Sequence, residues 1–515
     1  MRQYLKCLFA LLSACFVGFA SNAQNNLQWF QKYVQQNKET ILQQYIDFVN
    51  IPNVVSQKNA FAYNADYLFQ FMQRAGIQNT LLLFTDNTKP PVVYGELMVP
   101  NATQTIVFYA HYDGQPADSS GWYKGLNPFK PSFFTNAINN GGKALTKDEW
   151  LKQLNDNFRI YARGAADDKA GVMAILQAFI ALKKQNLLPT INVKFFFEGE
   201  EEAGSPNLAK ILAHYKSLLQ SDVWIICDGP QPANGKNLLS FGVRGDTHMD
   251  ITLYGSKTPL HSGHYGNWAP NPAWNMVHLL ASMKNDSGFV TIPNFYSDVQ
   301  PISNAEKKVW NQIQQNDALL KEQFGFSGNE MNGISLINAI QLPTLNINGI
   351  ASGHVGNLST NSIPATASVS IDLRLVPGND YIKQQQKVIQ HITSKGYYVI
   401  SHEPTDEERM KYPLIAKVDT GSGYNAQKTP IDWPMSQQII KAVNEVSLNG
   451  LIIMPLTGGS LPLIIIEQQL GAKAISLPIA NYDDNQHAAN ENIRIGNFWN
   501  GIKEILSIMT MKNGQ

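Results

Sequence analysis

The chain has 515 residues, of which 44% are apolar and 16% charged, so its composition supplies a large core and excludes extended disorder. Lysine plus arginine and aspartate plus glutamate both number 40, so no net charge favours nucleic acid or an anionic membrane as a partner. The length predicts two or three domains, and no stretch beyond the N-terminus is long and apolar enough to predict a membrane span.

The first 23 residues have the layout of a signal peptide. A basic start precedes an apolar run over residues 7–20, and Ser21 and Ala23 are the small residues before an expected cleavage after Ala23. We therefore expect an exported protein, periplasmic or secreted. Lipid attachment at Cys15 is the alternative, and we favour simple cleavage because the apolar run continues beyond Cys15. After cleavage only Cys227 would remain, so no internal disulfide is expected.

Strand-like and helix-like segments alternate over the first half of the chain. The predicted strands are residues 105–110, 191–197 and 222–227, and the predicted helices are residues 26–50, 170–184 and 206–219. This alternation predicts a mainly parallel sheet covered by helices. Residues 132–158, rich in Asn, Gly and Lys, are predicted to form a surface loop that could cap a pocket.

The pattern changes near residue 246 and returns near residue 406. The predicted module contains strands 248–254, 367–376 and 396–402 with helices 271–284 and 381–393; beyond it come helices 434–446, 461–470 and 493–509 with strands 451–454 and 474–478. We therefore expect one α/β domain, residues 24–245 and 406–515, interrupted by a smaller α+β module at residues 246–405.

Side chains that can bind metal follow three of the predicted strands. His111 follows the first strand, Glu198–Glu202 the second and Asp228 the third. Functional groups gather beyond the carboxyl ends of parallel strands, and charge buried there is costly unless a partner or a metal satisfies it. Together with Asp167 and His487, these stretches predict a site for two metal ions that share a carboxylate, as in metal-dependent hydrolases.

Three of these stretches also have a simpler interpretation, and Asp228 and His487 are individually weak signals. Asp167 or Asp168 could merely cap the helix that follows, and Glu198–Glu202 could be a solvated acidic loop. His111 alone could be an ordinary surface histidine. The five stretches together favour the metal site, in which a glutamate would act as general base and Asp113 would orient the His111 ring.

The sequence resembles the di-zinc dipeptidase, aminoacylase and carboxypeptidase family, most of all its carnosinase-like dipeptidases. The resemblance runs from about residue 40 to the C-terminus. The matching stretches are residues 111–116, 163–171, 198–205, 261–263, 373–377, 458–460 and 487–491. It implies a mainly parallel-sheet zinc-peptidase catalytic domain interrupted by a smaller α+β lid, which would also form a homodimer interface.

The resemblance implies two Zn²⁺ ions per subunit, with Mn²⁺ or Co²⁺ as possible substitutes. The implied ligands are His111 and Asp228 for one ion, Glu202 and His487 for the other, and Asp167 as the bridge between them. A cis peptide bond between Asp167 and Asp168 is also implied.

The resemblance further implies which residues act on the substrate. Glu201 would be the general base that takes a proton from water and delivers it to the leaving amine, Asp113 would clamp His111, and Glu200 would stay outside the metal site. His261 would hydrogen-bond the oxyanion of the other subunit. The residues implied to hold the terminal carboxylate of the substrate are Arg374, Gly459 and Ser460. Without the resemblance, a loop histidine and a lid salt bridge are the simpler interpretations of His261 and Arg374.

Three departures from the family pattern concern the edges of the site. Ala170 follows Asp-Asp-Lys where the family usually has glycine, and Asn267 stands where a second glycine usually follows the lid histidine. The insertion at residues 132–157 is longer than in carnosinase-like members.

We therefore expect a metallopeptidase that cleaves dipeptides or short peptides with a free C-terminal carboxylate. An N-acyl amino acid hydrolase would need the same metals and the same arginine. A non-catalytic peptide-binding protein of the same fold is the third hypothesis, and the intact set of ligands and base argues against it.

Overall fold

The computed structural model describes residues 29–54, 58–313, 317–461 and 463–511. The predicted signal peptide and the alternative lipid attachment site lie outside the described residues. The chain divides into two compact units: the first takes Met1–Phe241, Thr429–Met454 and Ile465–Gln515, and the second takes Gly242–Lys428 and Pro455–Ile464. The chain therefore leaves the first unit twice, at residues 242 and 455, and returns to it each time.

An eight-stranded sheet forms the centre of the first unit. Its strands, in order across the sheet, are Gln78–Leu83, Val92–Leu97, Asn192–Glu198, Thr105–His111, Val223–Ile226, Lys473–Ser476, Asn237–Ser240 and Leu451–Met454. Four neighbouring pairs are parallel, three of them adjoining at the middle of the sheet, so the predicted mainly parallel sheet is confirmed. Strand Asn192–Glu198 is buried along its whole length, as expected where helices cover both faces.

Helices Lys58–Ala75, Lys169–Lys184 and Pro434–Val446 pack on this sheet. The α-helices of the first unit, counting one whose first residue still belongs to the second unit, are residues 29–49, Lys58–Ala75, Lys147–Lys152, Lys169–Lys184, Leu208–His214, Pro434–Val446, Ile464–Leu470 and Ile495–Met509. Lys169–Lys184 packs on Ile495–Met509. The helix predicted over residues 206–219 is shorter than expected, since residues 215–219 are turns. No helix among the described residues has the length and apolar character that crossing a membrane requires.

The prediction of a surface loop at residues 132–158 is wrong. This segment supplies two strands of a four-stranded antiparallel sheet whose order is Asn492–Arg494, Arg159–Tyr161, Ser132–Phe134 and Ala144–Leu145. It also supplies helix Lys147–Lys152, which begins in a capping box between Thr146 and Glu149. Phe133 stacks on Trp150 with ring centroids 4.5 Å apart, so apolar contacts order a segment of polar composition.

The second unit is built on a five-stranded sheet. Its strands, in order, are Thr344–Ala351, Thr366–Leu375, Gly245–Tyr254, Ile415–Tyr424 and Tyr398–Ile400. One face carries the core side chains Met249, Ile251 and Leu253, which alternate along their strand. Because strand Ile415–Tyr424 pairs with Gly245–Tyr254, this sheet continues beyond residue 405, where the sequence analysis placed the end of the module.

The second unit contains more elements than the predicted β-α-β-α-β pattern. Its helices are Ser262–Tyr265, Pro272–Ala281, Asn304–Trp310, Asp317–Phe324, Leu336–Ala339, Tyr381–Ser394 and Asp406–Lys411, and its short strands are Leu260–His261 paired with Ser362–Ile363 and Gly242–Val243 paired with Gln427–Lys428. Helices Pro272–Ala281 and Tyr381–Ser394 pack on the sheet.

Candidate metal centre

His111 ends a buried strand, at the sheet edge where the sequence analysis expected it. It lies opposite Glu198 of the neighbouring parallel strand and is fully buried. Its Nε2 atom is 2.9 Å from Oδ1 of Asp167 and 3.8 Å from Oδ2 of Asp228. These three residues form one group whose candidate ligand atoms lie within 4.8 Å of one another.

Asp167 also belongs to a second group of the same kind, with Glu202 and His487. His487 Nε2 is 3.0 Å from Oδ2 of Asp167 and 3.1 Å from Oε2 of Glu202. The two carboxylate oxygens of Asp167 thus face different histidines. The structure therefore brings together all five residues that the resemblance implies as ligands, with Asp167 common to both groups.

The turn that presents Asp167 contains a cis peptide bond between Asp167 and Asp168, so this expectation is confirmed. Asp168 points the other way. Its side chain accepts hydrogen bonds from the backbone N–H of Gly171, at 3.2 Å, and of His111, at 3.2 Å. Asp168 therefore caps helix Lys169–Lys184, as the simpler interpretation of this aspartate pair allowed, while Asp167 faces the histidines.

Asp113 connects His111 with the glutamate pair. Its Oδ1 atom lies 3.3 Å from Nδ1 of His111. Its carboxylate also accepts the backbone N–H groups of Glu201, at 3.2 Å, and of Glu202, at 3.0 Å. Glu200 is turned away, and its Oε2 atom accepts from the Asn207 side chain at 2.7 Å. Glu201 Oε2 lies 3.8 Å from His111 Nε2.

Two glutamines contact the carboxylates of the candidate ligands, and the sequence analysis missed both. Gln486 Nε2 donates to Oδ2 of Asp167 at 2.9 Å, and Gln115 Nε2 donates to Oε2 of Glu202 at 2.9 Å. Gln486 directly precedes His487, and Gln115 lies in the stretch that begins at His111. Their positions next to candidate ligands in the sequence could have pointed to them, but a glutamine by itself does not predict such a contact.

A buried carboxylate holds the turn that presents Asp167. Glu491 accepts hydrogen bonds from the N–H groups of Gly164, Ala166 and Asp167 at 2.9–3.0 Å, and the Arg163 guanidinium donates to it at 2.6 Å. Burial raises the pKa of Glu491 to about 7, and Arg163 opposes this shift. The sequence analysis noted Glu491 only as the last residue of a matching stretch, without a role.

The charges of this cluster are poorly balanced. Burial, and to a smaller extent the charge of Asp167, raises the pKa of Asp228 to about 7. Burial also raises the pKa of Glu201 well above its usual range. Burial would raise the pKa of Asp167 too, but hydrogen bonds from His111 and His487 outweigh it and lower the value. Hydrogen bonds to Asp167 and Glu202 raise the pKa of His487 to about 10. Divalent cations would satisfy this excess of carboxylates.

The donor set fits two such cations. Imidazole nitrogens and carboxylate oxygens are ligands that Zn²⁺ takes in catalytic sites, where three protein ligands leave a position open for water or substrate. Each group here offers three residues. The carboxylate of Asp113 on the far nitrogen of His111 is the usual partner of a metal-binding histidine.

The remaining predicted residues belong to the second unit. Arg374 Nη1 donates to Oγ of Ser460 at 3.0 Å, and its Nε lies 3.3 Å from Asp372. Gly459 precedes Ser460, and its carbonyl accepts the N–H of Arg244. Arg374, Ser460 and Gly459 thus lie at one place in this unit.

His261 is exposed at the end of strand Leu260–His261. Its Nδ1 atom accepts the N–H of Gly263 at 3.1 Å, which leaves Nε2 as the ring nitrogen that can donate. This is the tautomer that a hydrogen bond to an oxyanion needs.

The family model that matches this chain and two of its curated relatives all describe peptidases. The model of peptidase family M20/M25/M40 matches residues 107–510. A Cys-Gly metallodipeptidase of Candida albicans is 26% identical over 430 residues, covering 81% of this chain and 80% of that protein. A Beta-Ala-His dipeptidase of Mus musculus is 26% identical over 424 residues, covering 80% and 78%.

Solved structures show the same architecture. An M20 family metallo-carboxypeptidase from Sulfolobus solfataricus superposes with a TM-score of 0.73 at 27% identity, covering 91% of this chain and 98% of that one. Human carnosine dipeptidase 1 has a TM-score of 0.63 at 21% identity, covering 94% and 98%. The second match bears on the fold alone.

Proposed function

The chain belongs to peptidase family M20/M25/M40, and we propose that it is a zinc dipeptidase acting on dipeptides or short peptides with a free C-terminal carboxylate. The observation that carries this proposal is the pair of three-residue groups sharing Asp167, with Glu201 beside them. Relatives named as dipeptidases for Cys-Gly and Beta-Ala-His, each matched over about four-fifths of the chain, support the substrate class.

The proposed ligands are those that the structure groups. His111, Asp167 and Asp228 would hold one zinc ion, and Asp167, Glu202 and His487 the other. When bound, the two ions would supply Lewis-acid chemistry by acidifying water and polarising the peptide carbonyl. A dinuclear metal-binding peptidase of the M20 family has the same fold, which supports two ions and leaves the choice of zinc to experiment.

Glu201 is the proposed general base. Its side chain is 17% exposed, so water can reach it, and burial of the rest raises its pKa. A carboxylate with a raised pKa can take a proton from the attacking water and deliver it to the leaving amine at neutral pH. Asp113 would hold the backbone of Glu201 and the ring of His111 in place.

Arg374 and His261 are proposed to contact two different groups of the substrate: its terminal carboxylate and the carbonyl oxygen of the peptide bond that is cleaved. Arg374, oriented by Asp372 and Ser460, would hold the terminal carboxylate as a two-pronged donor, with Gly459 beside it. His261 would donate from Nε2 to the developing oxyanion. These two roles rest on the family resemblance and on the contacts within the second unit.

We further propose that the protein forms a homodimer through the second unit. The edge strand Thr344–Ala351 exposes Ile347 and Ile350, and helix Pro272–Ala281 exposes Trp274 and Val277. An uncovered strand edge with apolar neighbours favours pairing with a second copy.

We also propose that residues 1–23 direct export of the protein. The N-terminal sequence pattern alone supports this proposal.

The test of the proposed function compares Glu201→Gln with Glu200→Gln. The adjacent Glu200 is buried and bonded to Asn207, so its amide variant is a matched control. Zinc-loaded protein is assayed on dipeptides, tripeptides and N-acyl amino acids. We expect dipeptide turnover to fall by about 10²–10⁴-fold in Glu201→Gln and to stay near wild type in Glu200→Gln.

Equal losses in the two variants would contradict Glu201 as the base. Preferred turnover of N-acyl amino acids would replace the dipeptidase with an acylase that uses the same metal centre. Absence of turnover in metal-loaded protein would overturn the proposed function.

A further inference from the structure

The two groups of candidate metal ligands differ in how far they are exposed. We call the group of His111, Asp167 and Asp228 the first site, and the group of Asp167, Glu202 and His487 the second site. The side chain of His111 is fully buried, whereas 57% of the His487 side chain is exposed. The histidine of the second site is therefore held by fewer packing contacts than that of the first.

The two histidines also differ in their polar contacts. Asp113 Oδ1 lies 3.3 Å from Nδ1 of His111, so both ring nitrogens of His111 face carboxylates. In the part of the chain that the structure describes, the His487 ring has polar contacts through Nε2 alone, with Asp167 and Glu202. A ligand that is free to rotate must be ordered when a metal binds, which costs entropy. Support for the second site is therefore expected at its carboxylates.

Gln486 gives such support to Asp167. Its Nε2 atom donates to Oδ2 of Asp167 at 2.9 Å, and this is the oxygen that lies 3.0 Å from Nε2 of His487. The other oxygen, Oδ1, lies 2.9 Å from His111. Because only one oxygen accepts from Gln486, the hydrogen bond opposes rotation of the carboxylate and keeps Oδ2 in the second site. An ionised carboxylate oxygen has two lone pairs, so one remains for a metal ion.

Gln115 gives the same support to Glu202. Its Nε2 atom donates to Oε2 of Glu202 at 2.9 Å and contacts the backbone carbonyl of Glu202 at 3.3 Å. Oε2 is again the oxygen that faces His487, at 3.1 Å. A glutamate side chain has several rotatable bonds, and fixing them costs free energy. The hydrogen bond from Gln115 orders this side chain before any metal binds.

We propose that Gln486 and Gln115 are positioning residues for the second metal ion and have little effect on the first. Among the described residues, no side-chain amide donates to Oδ1 of Asp167 or to Asp228. The glutamines thus do for the second site what Asp113 does for the first, by fixing the orientation of metal ligands from outside. The proposal rests on the proposed function, because it concerns how the proposed metal centre holds one of its two ions.

The test is titration of metal-free protein with Zn²⁺ in competition with a chromophoric chelator, which measures the affinity of each equivalent. Gln486→Met keeps the side-chain length but loses the donor. We expect this variant to weaken one equivalent by about 10–100-fold and to leave the other unchanged. Gln115→Met should weaken the same equivalent. The matched control is Gln70→Met, since Gln70 donates to Asp66 at 2.8 Å on an exposed helix face.

Two backgrounds identify the equivalent that is weakened. Asp228→Ala removes a ligand of the first site alone, and His487→Ala removes a ligand of the second site alone. We expect Gln486→Met to weaken the remaining ion in the Asp228→Ala background. In the His487→Ala background it should change nothing, because the ion that it supports is already lost.

Thermal unfolding of the metal-free proteins separates positioning from a structural role. The metal-free Tm should be the same in wild type and in both glutamine variants. A lower Tm without selective loss of one equivalent would show that the glutamines stabilise the fold instead, and would overturn the proposal. If Gln486→Met alone fails to fold, Gln115→Met decides the question.

Equal weakening of both equivalents, or of neither, would also overturn the proposal. The readout requires no turnover. Selective loss of one equivalent in a protein that cleaves no peptide would contradict the proposed function and keep the positioning role. Dipeptide cleavage by a protein whose two zinc affinities do not depend on either glutamine would do the reverse.

Discussion

At the scale of single residues, Asp113 has contacts that no other carboxylate of the metal centre shares. It faces Nδ1 of His111 and accepts the backbone N–H groups of Glu201 and Glu202. One buried carboxylate thus positions a proposed ligand of one metal ion, the proposed base, and a proposed ligand of the other ion. Such outer carboxylates fix the tautomer and the orientation of metal-binding histidines.

We expect Asp113→Asn to lower zinc affinity by about 10–100-fold, because the amide places an N–H₂ group where only acceptors fit. Competition with a chromophoric zinc chelator measures this directly. Asp118→Asn, which alters the cap of a short exposed helix at Ser119–Gly121, serves as control. Unchanged zinc affinity in Asp113→Asn would show that Asp113 does not orient His111.

Glu504 is a second residue whose environment predicts a measurable effect. It is fully buried in helix Ile495–Met509, and neither carboxyl oxygen has a hydrogen-bond partner of normal geometry among the described residues. Burial raises its pKa to about 8 from the ordinary value of 4.5, although Lys503 and Asn237 oppose the shift. The native protein therefore keeps this proton at pH values where the unfolded chain has released it.

This predicts that the free energy of unfolding falls as pH rises from about 4.5 to 8, since the native state binds more protons over that range. One pKa unit corresponds to about 1.4 kcal/mol, so the effect amounts to several kcal/mol. Urea unfolding across this pH range should show a shallower decline in Glu504→Gln than in wild type. The exposed Glu445→Gln serves as control, and parallel profiles for wild type and Glu504→Gln would contradict the prediction.

At the scale of elements, the segment at residues 132–158 depends on a few aromatic contacts. Trp150 is 2% exposed and stacks on Phe133, with ring planes 6° apart. Phe134 packs edge-on against Tyr161 of the neighbouring strand. Short strands of two and three residues cannot hold a sheet by backbone hydrogen bonds alone, so these rings stabilise it.

Trp150→Ala should therefore lower the free energy of unfolding by about 3–5 kcal/mol, because it removes a large buried ring. Trp150→Phe keeps the stack and should cost less. The matched control is Trp268→Ala, since Trp268 is 80% exposed. Chemical denaturation of the three variants measures the differences. A loss in Trp150→Ala no larger than in Trp268→Ala would show that the stack contributes little.

The predictions from sequence succeeded where the signal was local. Helix Pro434–Val446 and strand Leu451–Met454 begin and end where their apolar patterns do. The start of the last helix was misplaced, because residues Asn492–Arg494 pair as a strand with Arg159–Tyr161, more than three hundred residues earlier. Pairing between distant segments leaves no periodic pattern in either one.

The same distinction applies to the metal centre. His111 and Asp228 follow recognisable strands, so the ends of those strands pointed to them. Gln486 and Glu491 each hydrogen-bond to Asp167, Glu491 through the backbone N–H group of Asp167. No spacing rule links either residue to position 167. The fold determines these contacts, so they became visible only in the structure.

At the scale of the whole molecule, the proposed dimer predicts a measurable mass. Sedimentation equilibrium of wild type should give twice the chain mass. Ile350→Asp and Trp274→Asp place a charge on the proposed interface and should shift the protein towards monomer. Leu188→Asp, at an exposed position of the first unit, should not. A monomeric wild type would contradict the dimer and the action of His261 across subunits.

The position of strand Lys473–Ser476 in the eight-stranded sheet has a consequence for folding during translation. It lies between Val223–Ile226 and Asn237–Ser240, strands that leave the ribosome more than two hundred residues earlier. At about 5–20 residues per second, these strands wait for roughly 10–50 seconds with unpaired edges. Unpaired strand edges invite pairing with other chains. A premature stop codon before residue 473 would thus yield an aggregation-prone sheet with an open centre, and not a smaller enzyme.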